Sequence, residues 1–317
     1  MKQLLKSSRL FVLAKSGKRF PERWYYPLGA LLYAGLVPVT ASLCVLPFYL
    51  LVAIADFNNH GNINFSLTAW TQGTTGISIE LVFGFLPIFA LIWFWLWVFE
   101  RRHLWTTGME RPNWLWKYVR GLLIGASLIA AILALQANTL SIHDDPRATS
   151  STVIGGVLAI SLGWIIQGAA EEILARGFVL PIIGTRWGTT AGIAISSILF
   201  SALHLLNPNL SIIAILNLIL FGIFAALYSL YEGGLWGVFA LHSAWNWTQG
   251  NLFGLPVSGM QMGVSLLQLD EAGRDWWTGG SFGPEGGLAA TLVLVIASVF
   301  ILWLFYRGTR QESIITS

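Results

Sequence analysis

The chain has 317 residues, of which 55% are hydrophobic and only 10% charged, with a formal net charge of +3. Soluble globular domains carry roughly a quarter charged residues, so these proportions exclude that class and indicate a polytopic membrane protein. So small a net charge gives no footprint for nucleic acid, and a single cysteine, Cys44, excludes an internal disulfide and a cysteine-built zinc site.

In chain order, seven Lys and Arg residues crowd the first 26 positions. The apolar run at 28–55 is too long for a signal-peptide core and lacks a small-residue cleavage pattern, so it reads as a retained first span. Pro38 and Pro47 predict kinks in it, and Cys44 is expected to pack there as a small core residue. Residues 56–80 contain no Lys or Arg; Asn64-Phe-Ser66 is a glycosylation sequon that matters only in a secretory compartment. A second span at 81–99 closes on Trp93-Phe-Trp-Leu-Trp97, an aromatic belt suited to headgroup depth. The connector 100–120 returns five cations, and a third span at 121–138 leads to the polar loop 141–147.

The fourth apolar segment, 153–184, exceeds a bilayer core of about 30 Å at 1.5 Å per residue. Part of it must tilt, break or lie in the interface. The fifth span is expected at 189–206, stopped by Asn207-Pro208-Asn209, the sixth at 211–231 and the seventh at 235–255. A loop at 256–287, bearing Trp276-Trp277, is long enough for an interfacial flap, and an eighth span follows at 288–306. The expected fold is all-α, a polytopic membrane protein of about eight transmembrane helices. It divides into N-terminal spans (1–150), a core of spans four to seven (151–255), and the external loop with the last span and tail (256–317). Eight spans put both termini on one face, and sixteen of the eighteen Lys and Arg residues fall there. By the positive-inside rule that face is cytoplasmic, so the expected location is a bacterial inner membrane with both termini inside.

Ionisable residues in apolar spans mark function by default, because each costs roughly 2.5–3.5 kcal/mol to insert. Glu172 and Arg176, four apart, share a helical face and can neutralise each other, whereas Glu171 is rotated by about 100° and has no local cation. A hairpin turning near 185–188 brings His204 to the depth of Glu171, with Phe200 one turn away as an apolar cavity wall. His242 and Asn246 repeat the four-residue spacing on the seventh span and could donate together to an oxyanion. Straight helices, however, put His204 about 22 Å and His242 about 11 Å from the cytoplasmic face. Either 174–188 lies along the interface or the seventh helix starts outside the core. By contrast, Ser196, Ser197, Asn217 and Ser243 read as helix contacts.

Such a set suggests water activation. Glu171 would serve as a general base that takes a proton from water and returns it to the leaving amine, with His204 on the same water. Alternatively Glu171, His204 and His242 would hold one divalent metal such as zinc, with water at an open position. The residues leave the cofactor open between none and one metal, and hence the class open between glutamic protease and metalloprotease.

The segments Glu171-Glu172-Ile-Leu-Ala-Arg176, Phe200-Ser-Ala-Leu-His204 and His242-Ser-Ala-Trp-Asn246 closely resemble the three motifs of the CPBP intramembrane proteases, also called the ABI family. These include the CAAX prenyl endopeptidases and bacteriocin-processing relatives. The resemblance covers about 155–250. It implies an eight-span helical fold that hydrolyses a peptide bond in a membrane-associated or lipidated protein, a sorting tail or a propeptide. It places Glu171 and His204 on the catalytic water, His242 and Asn246 at the oxyanion, and Glu172 with Arg176 as a structural pair. One departure stands out, since the aromatic that usually precedes the arginine is here Ala175. The implied partners are membrane lipid and a membrane-anchored protein or peptide substrate.

Two other classes compete with this reading. One is a non-catalytic immunity or maturation partner that keeps the protease fold; it would have no need for all four polar residues. The other is a proton-coupled transporter, which the absence of an inverted repeat disfavours. A serine intramembrane protease lacks its G-x-S-x-G here, and a zincin its H-E-x-x-H.

Overall fold

The computed structural model describes residues 8–60, 73–143 and 150–315. The sequon at 64–66 and Arg147 lie outside the described residues. A short α1 (Arg9–Ala14) precedes α2 (Tyr26–Ser42) and α3 (Leu46–His60). Pro38 sits inside α2, and the tighter turn Leu43–Val45 joins the two helices directly before Pro47. Next come α4 (Thr74–Phe83), α5 (Leu86–Trp95) and α6 (Trp114–Leu135). The helices that carry the polar motifs are α7 (Ser151–Glu172), α8 (Leu180–Trp187), α9 (Thr189–Ala202), α10 (Ile212–Glu232) and α11 (Trp236–Trp247), and α12 (Leu288–Ile315) ends the fold.

Local chemistry sets several of these boundaries. Ser150 accepts from the Val153 amide at 3.3 Å and Ser211 from the Ala214 amide at 3.1 Å, capping α7 and α10 as N-cap serines do. At the far end of α10, Gly233 takes the left-handed conformation (φ 68°) that terminates a helix.

Among the described residues six stretches are long and apolar enough to cross a membrane: Tyr26–Ala55, Thr74–Glu100, Trp114–Leu135, Ser151–Trp187, Ile212–Glu232 and Leu288–Arg307. The protein is therefore an all-α polytopic membrane protein. Of these, Ile212–Glu232 is the central one, with 61% of its apolar window buried, and Tyr26–Ala55 the most peripheral at 17%. Leu32, Leu36, Leu50, Leu123 and Leu158 point outward and are exposed, as surfaces against lipid require. Cys44 belongs to that surface. The expectation that it packs in the core fails because in a bilayer an apolar run need not face inward.

The fifth and seventh expected spans are shorter than predicted. Helix α9 has 14 residues, and α11 has 12 and is continued by a π segment of five, Thr248–Leu252, which makes them about 21 and 25 Å at 1.5 Å per residue. Each reaches only part-way through a bilayer core of about 30 Å. The long fourth segment is continuous helix from Ser151 to Trp187, wound wider in a π segment, Ile173–Val179, between α7 and α8 directly after the glutamate pair. Residues 173–184 are all buried. At the start of α11 the buried Leu235 donates its N–H to Gly108 O at 2.9 Å, and the Trp236 indole donates to Glu110 O at 2.9 Å.

Two layers of hydrogen bonds close the bundle. One joins α1, the 100–113 connector, the end of α8 and the 230–236 turn, through Ser8 Oγ to Leu230 O (3.0 Å), Arg19 N to Glu100 O (3.2 Å) and Arg186 Nε to Pro21 O (2.9 Å). The opposite layer is built on the loop 256–287. Strand β1 (Leu140–His143) pairs antiparallel with β2 (Gln268–Glu271). Gln136 Nε2 donates to Trp277 O at 3.2 Å, and Asn207 Nδ2 donates to Ser258 O at 3.1 Å.

Candidate active site

Helix α7 brings Glu171 and Glu172 to its C-terminal end, where the π segment redirects the chain and places Arg176 in the core. Arg176 and Glu172 have fully buried side chains, paired Nη1 to Oε1 at 2.7 Å, and Arg176 Nη2 donates to Gly222 O at 3.2 Å. Helix α10 can approach this closely because position 222 is glycine: a Cβ there would lie 2.8 Å from both Cα and Cβ of Ser197. Gly168 does the same between α7 and α11, where a Cβ would meet Ser243 Oγ at 2.8 Å and its amide nitrogen at 2.9 Å. That contact holds His242 opposite the glutamates.

His242 is buried, and its Nδ1–H donates to Glu172 Oε1 at 3.0 Å. Glu172 is thus shared between Arg176 and His242, a link that the i,i+4 spacing alone does not reveal. The Nε2 of His242 faces Glu171 Oε2 at 3.8 Å, and the Nε2 of His204 faces the same oxygen at 3.9 Å. His204 sits in the turn just past α9, and its Nδ1–H donates to Phe200 O at 2.8 Å, which leaves Nε2 turned towards Glu171. Phe200 is buried, with its ring 4.8 Å from that of His204 and 5.8 Å from that of His242, and Arg176 lies over it at 4.6 Å.

Asn246 does not stand free. Its Nδ2 donates to Gln167 Oε1 at 3.0 Å, and Gln167 Nε2 donates in turn to Glu171 Oε1 at 2.7 Å. A carboxamide carries two N–H donors, so one hydrogen of Asn246 remains available. Gln167 was not singled out from the sequence, although it lies one turn before Glu171 on the same face. With Oε1 of Glu171 held by Gln167, Oε2 has no hydrogen-bond partner and is directed at the two imidazoles.

These groups line a cavity of about 180 Å³ together with Asn207, Ser258 and mostly apolar side chains, including Pro38, Leu81, Phe85 and Ile88. A chamber of about 20 Å³, the size of one water, adjoins it between Phe200, His242, Asn246 and Glu285. Glu285 and Ser258 come from the loop 256–287. The Ser258 hydroxyl donates to Glu285 Oε1 at 2.9 Å, and the Trp245 indole donates to Oε2 at 2.9 Å. No sequence pattern pointed to either residue. Ser196, Ser197 and Ser243 donate to carbonyls of their own helices, and Asn217 ties α10 to the backbone at Glu285 and Gly287.

Among the described residues, no group of three or more His, Cys, Asp and Glu side chains is arranged to hold a metal ion. Glu171, His204 and His242 come nearest. Their 3.8 and 3.9 Å separations exceed the roughly 3.3 Å between neighbouring ligands of a tetrahedral zinc with bonds of about 2.0–2.1 Å. The donor set as arranged does not fit a zinc.

Residues 152–248 match the family described as Rce1-like, type II CAAX prenyl endopeptidase. The match covers α7 through α11 and contains all three motifs, consistent with a CPBP family protease. No curated protein and no solved structure matches the chain.

Proposed function

We propose that the chain is an intramembrane endopeptidase that activates water with Glu171 and His204 and stabilises the oxyanion with His242 and Asn246. The observation that carries this reading is the approach of His204 Nε2 and His242 Nε2 to Glu171 Oε2, at 3.9 and 3.8 Å, in a cavity lined largely by apolar side chains. With the Nδ1–H of each imidazole donating elsewhere, a neutral His204 presents a lone pair at Nε2 beside the accepting Glu171 Oε2. One water donating both hydrogens over bonds of about 2.8 Å bridges these two acceptors, leaving the Nε2–H of an imidazolium His242 for the carbonyl oxygen.

In this account Glu171 takes a proton from that water as its oxygen attacks the peptide carbonyl carbon. The tetrahedral oxyanion accepts from Asn246 and from His242 Nε2. Because His242 Nδ1–H is committed to Glu172, the donor role of Nε2 requires the imidazolium form, with Glu171 and Glu172 as the carboxylates on either side. Collapse of the intermediate breaks the C–N bond and passes the proton from Glu171 to the leaving amine. Gln167 positions Glu171 and Asn246 together. The apolar walls suit a membrane-associated or lipidated polypeptide, and the family match supports endopeptidase activity in general.

The test is cleavage of membrane-anchored peptides by purified wild type and by Glu171→Gln. Cleavage that needs Glu171 supports the reading. Absence of cleavage by wild type across the peptides would favour a non-catalytic partner.

A further inference from the structure

The two closing layers differ sharply in charge. The layer containing α1, the 100–113 connector and the end of α8 carries Arg9, Lys15, Lys18, Arg19, Arg23, Arg101, Arg102, Arg111 and Arg186, with Lys117 and Arg120 in the first turns of α6. The loop layer carries a single described cation, Arg274, against Asp270, Glu271, Asp275 and Glu285. Arg176 contributes to neither, being fully buried on Glu172. Positive charge in short connectors stays on the cytoplasmic side, which makes the loop layer the non-cytoplasmic face.

The cavity lies against that face. Its wall takes Asn207, Val257, Ser258 and Met260 from the loop layer, and no described residue of the basic layer lines it. Met260, 45% exposed, stands on the rim, and beside His204 the neighbouring Leu205 and Leu206 are 53% and 96% exposed. The short α9 ends at this depth, so the turn that carries His204 presents apolar side chains outward where a full span would still be helical.

We infer that the cavity opens towards the non-cytoplasmic side, and that the polypeptide it takes is an exported or outward-facing membrane-anchored one, cut near its outer membrane boundary. A prenylated tail presented in the cytosol would meet the basic layer, separated from Glu171 by the buried α8 and the π segment. This inference rests on the endopeptidase reading for its substrate, but its sidedness stands on charge and geometry alone.

The experiment uses the full chain with Cys44→Ser as background. Met260→Cys marks the cavity rim and Lys18→Cys the basic layer. Each is exposed to a membrane-impermeant maleimide in right-side-out and in inverted vesicles. The expected result is labelling of Met260→Cys only in right-side-out vesicles and of Lys18→Cys only in inverted ones. Labelling of Met260→Cys only in inverted vesicles overturns the inference. So does no labelling in either preparation of a cysteine that reacts once the protein is denatured, because the rim would then be closed. The readout needs no turnover, so failure of the endopeptidase reading would appear as lost cleavage and leave this labelling pattern intact.

Discussion

His242 Nδ1 lies 3.0 Å from Glu172 Oε1, the same oxygen that Arg176 Nη1 reaches at 2.7 Å. The pair Glu172–Arg176 is therefore both a buried ion pair and the mount for an imidazole in the site. Removing one partner of such a pair strands the other charge, at a cost of about 3–5 kcal/mol. Arg176→Ala and Glu172→Ala are both expected to lower the thermal midpoint in detergent and the folded yield. Glu172→Ala should also reduce cleavage per folded molecule, because His242 loses its acceptor. Normal specific activity of folded Glu172→Ala would remove Glu172 from the site's machinery.

Gln167 bridges Asn246 and Glu171. Gln167→Ala should therefore lower kcat, with KM little changed and stability reduced by about 2–4 kcal/mol, the net worth of one neutral hydrogen bond and one to a carboxylate. Asn246→Ala, which also removes the donor proposed for the oxyanion, is expected to cost about 10²–10³ in kcat. Steady-state kinetics on one membrane-anchored peptide separates the two. An effect confined to KM would contradict both roles.

At Gly168 the approach of α7 to α11 leaves no space for a larger side chain. Gly168→Val should push the helices apart and destabilise the fold by about 1–3 kcal/mol, as overpacking does. The same shift would carry Glu171 away from His242. Thermal unfolding and activity should fall together, and a variant with wild-type stability would mean that the contact is looser than described.

Arg9 holds the Glu110 carboxyl below the usual carboxylate range, chiefly by hydrogen bonds of 2.7 and 2.9 Å and then by its charge. For a carboxylate with a lowered folded value, the stabilisation is present above the ordinary pKa and is lost as pH falls through the lowered one. The protection of α1 amides, their exchange measured against the unstructured-chain rate at the same pH, should therefore fall in acid, below the ordinary carboxylate range, and Glu110→Gln should abolish that dependence. Protection of α1 that is unchanged with pH in the wild type would show that the pair does not dock the helix.

The candidate site was legible from the sequence where physics makes residues conspicuous. Glu171, His204 and His242 stand out because charge and imidazole are costly in apolar spans, and the four-residue spacings tied Phe200 and Asn246 to them. Gln167 was overlooked because a neutral amide in a span raises no comparable alarm. Glu285 and Ser258 could not be read at all, since their approach depends on how the 256–287 loop folds back. Helix content followed from hydropathy, but length and winding did not: α9 stops after 14 residues, and periodicity does not signal the π segments after Glu172 and Trp247. Cys44 shows the inverse error, because hydropathy cannot tell a lipid-facing side chain from a core one.

The most direct test of the central claim is peptidase activity of purified protein in detergent on a library of membrane-anchored peptides, comparing wild type with Glu171→Gln, with and without a zinc chelator. The account predicts that wild type cleaves with or without chelator, and that Glu171→Gln retains the fold while losing about 10²–10⁴ in rate, the range of a positioned general base. Wild-type rates in Glu171→Gln would contradict it, as would loss of wild-type cleavage on chelation.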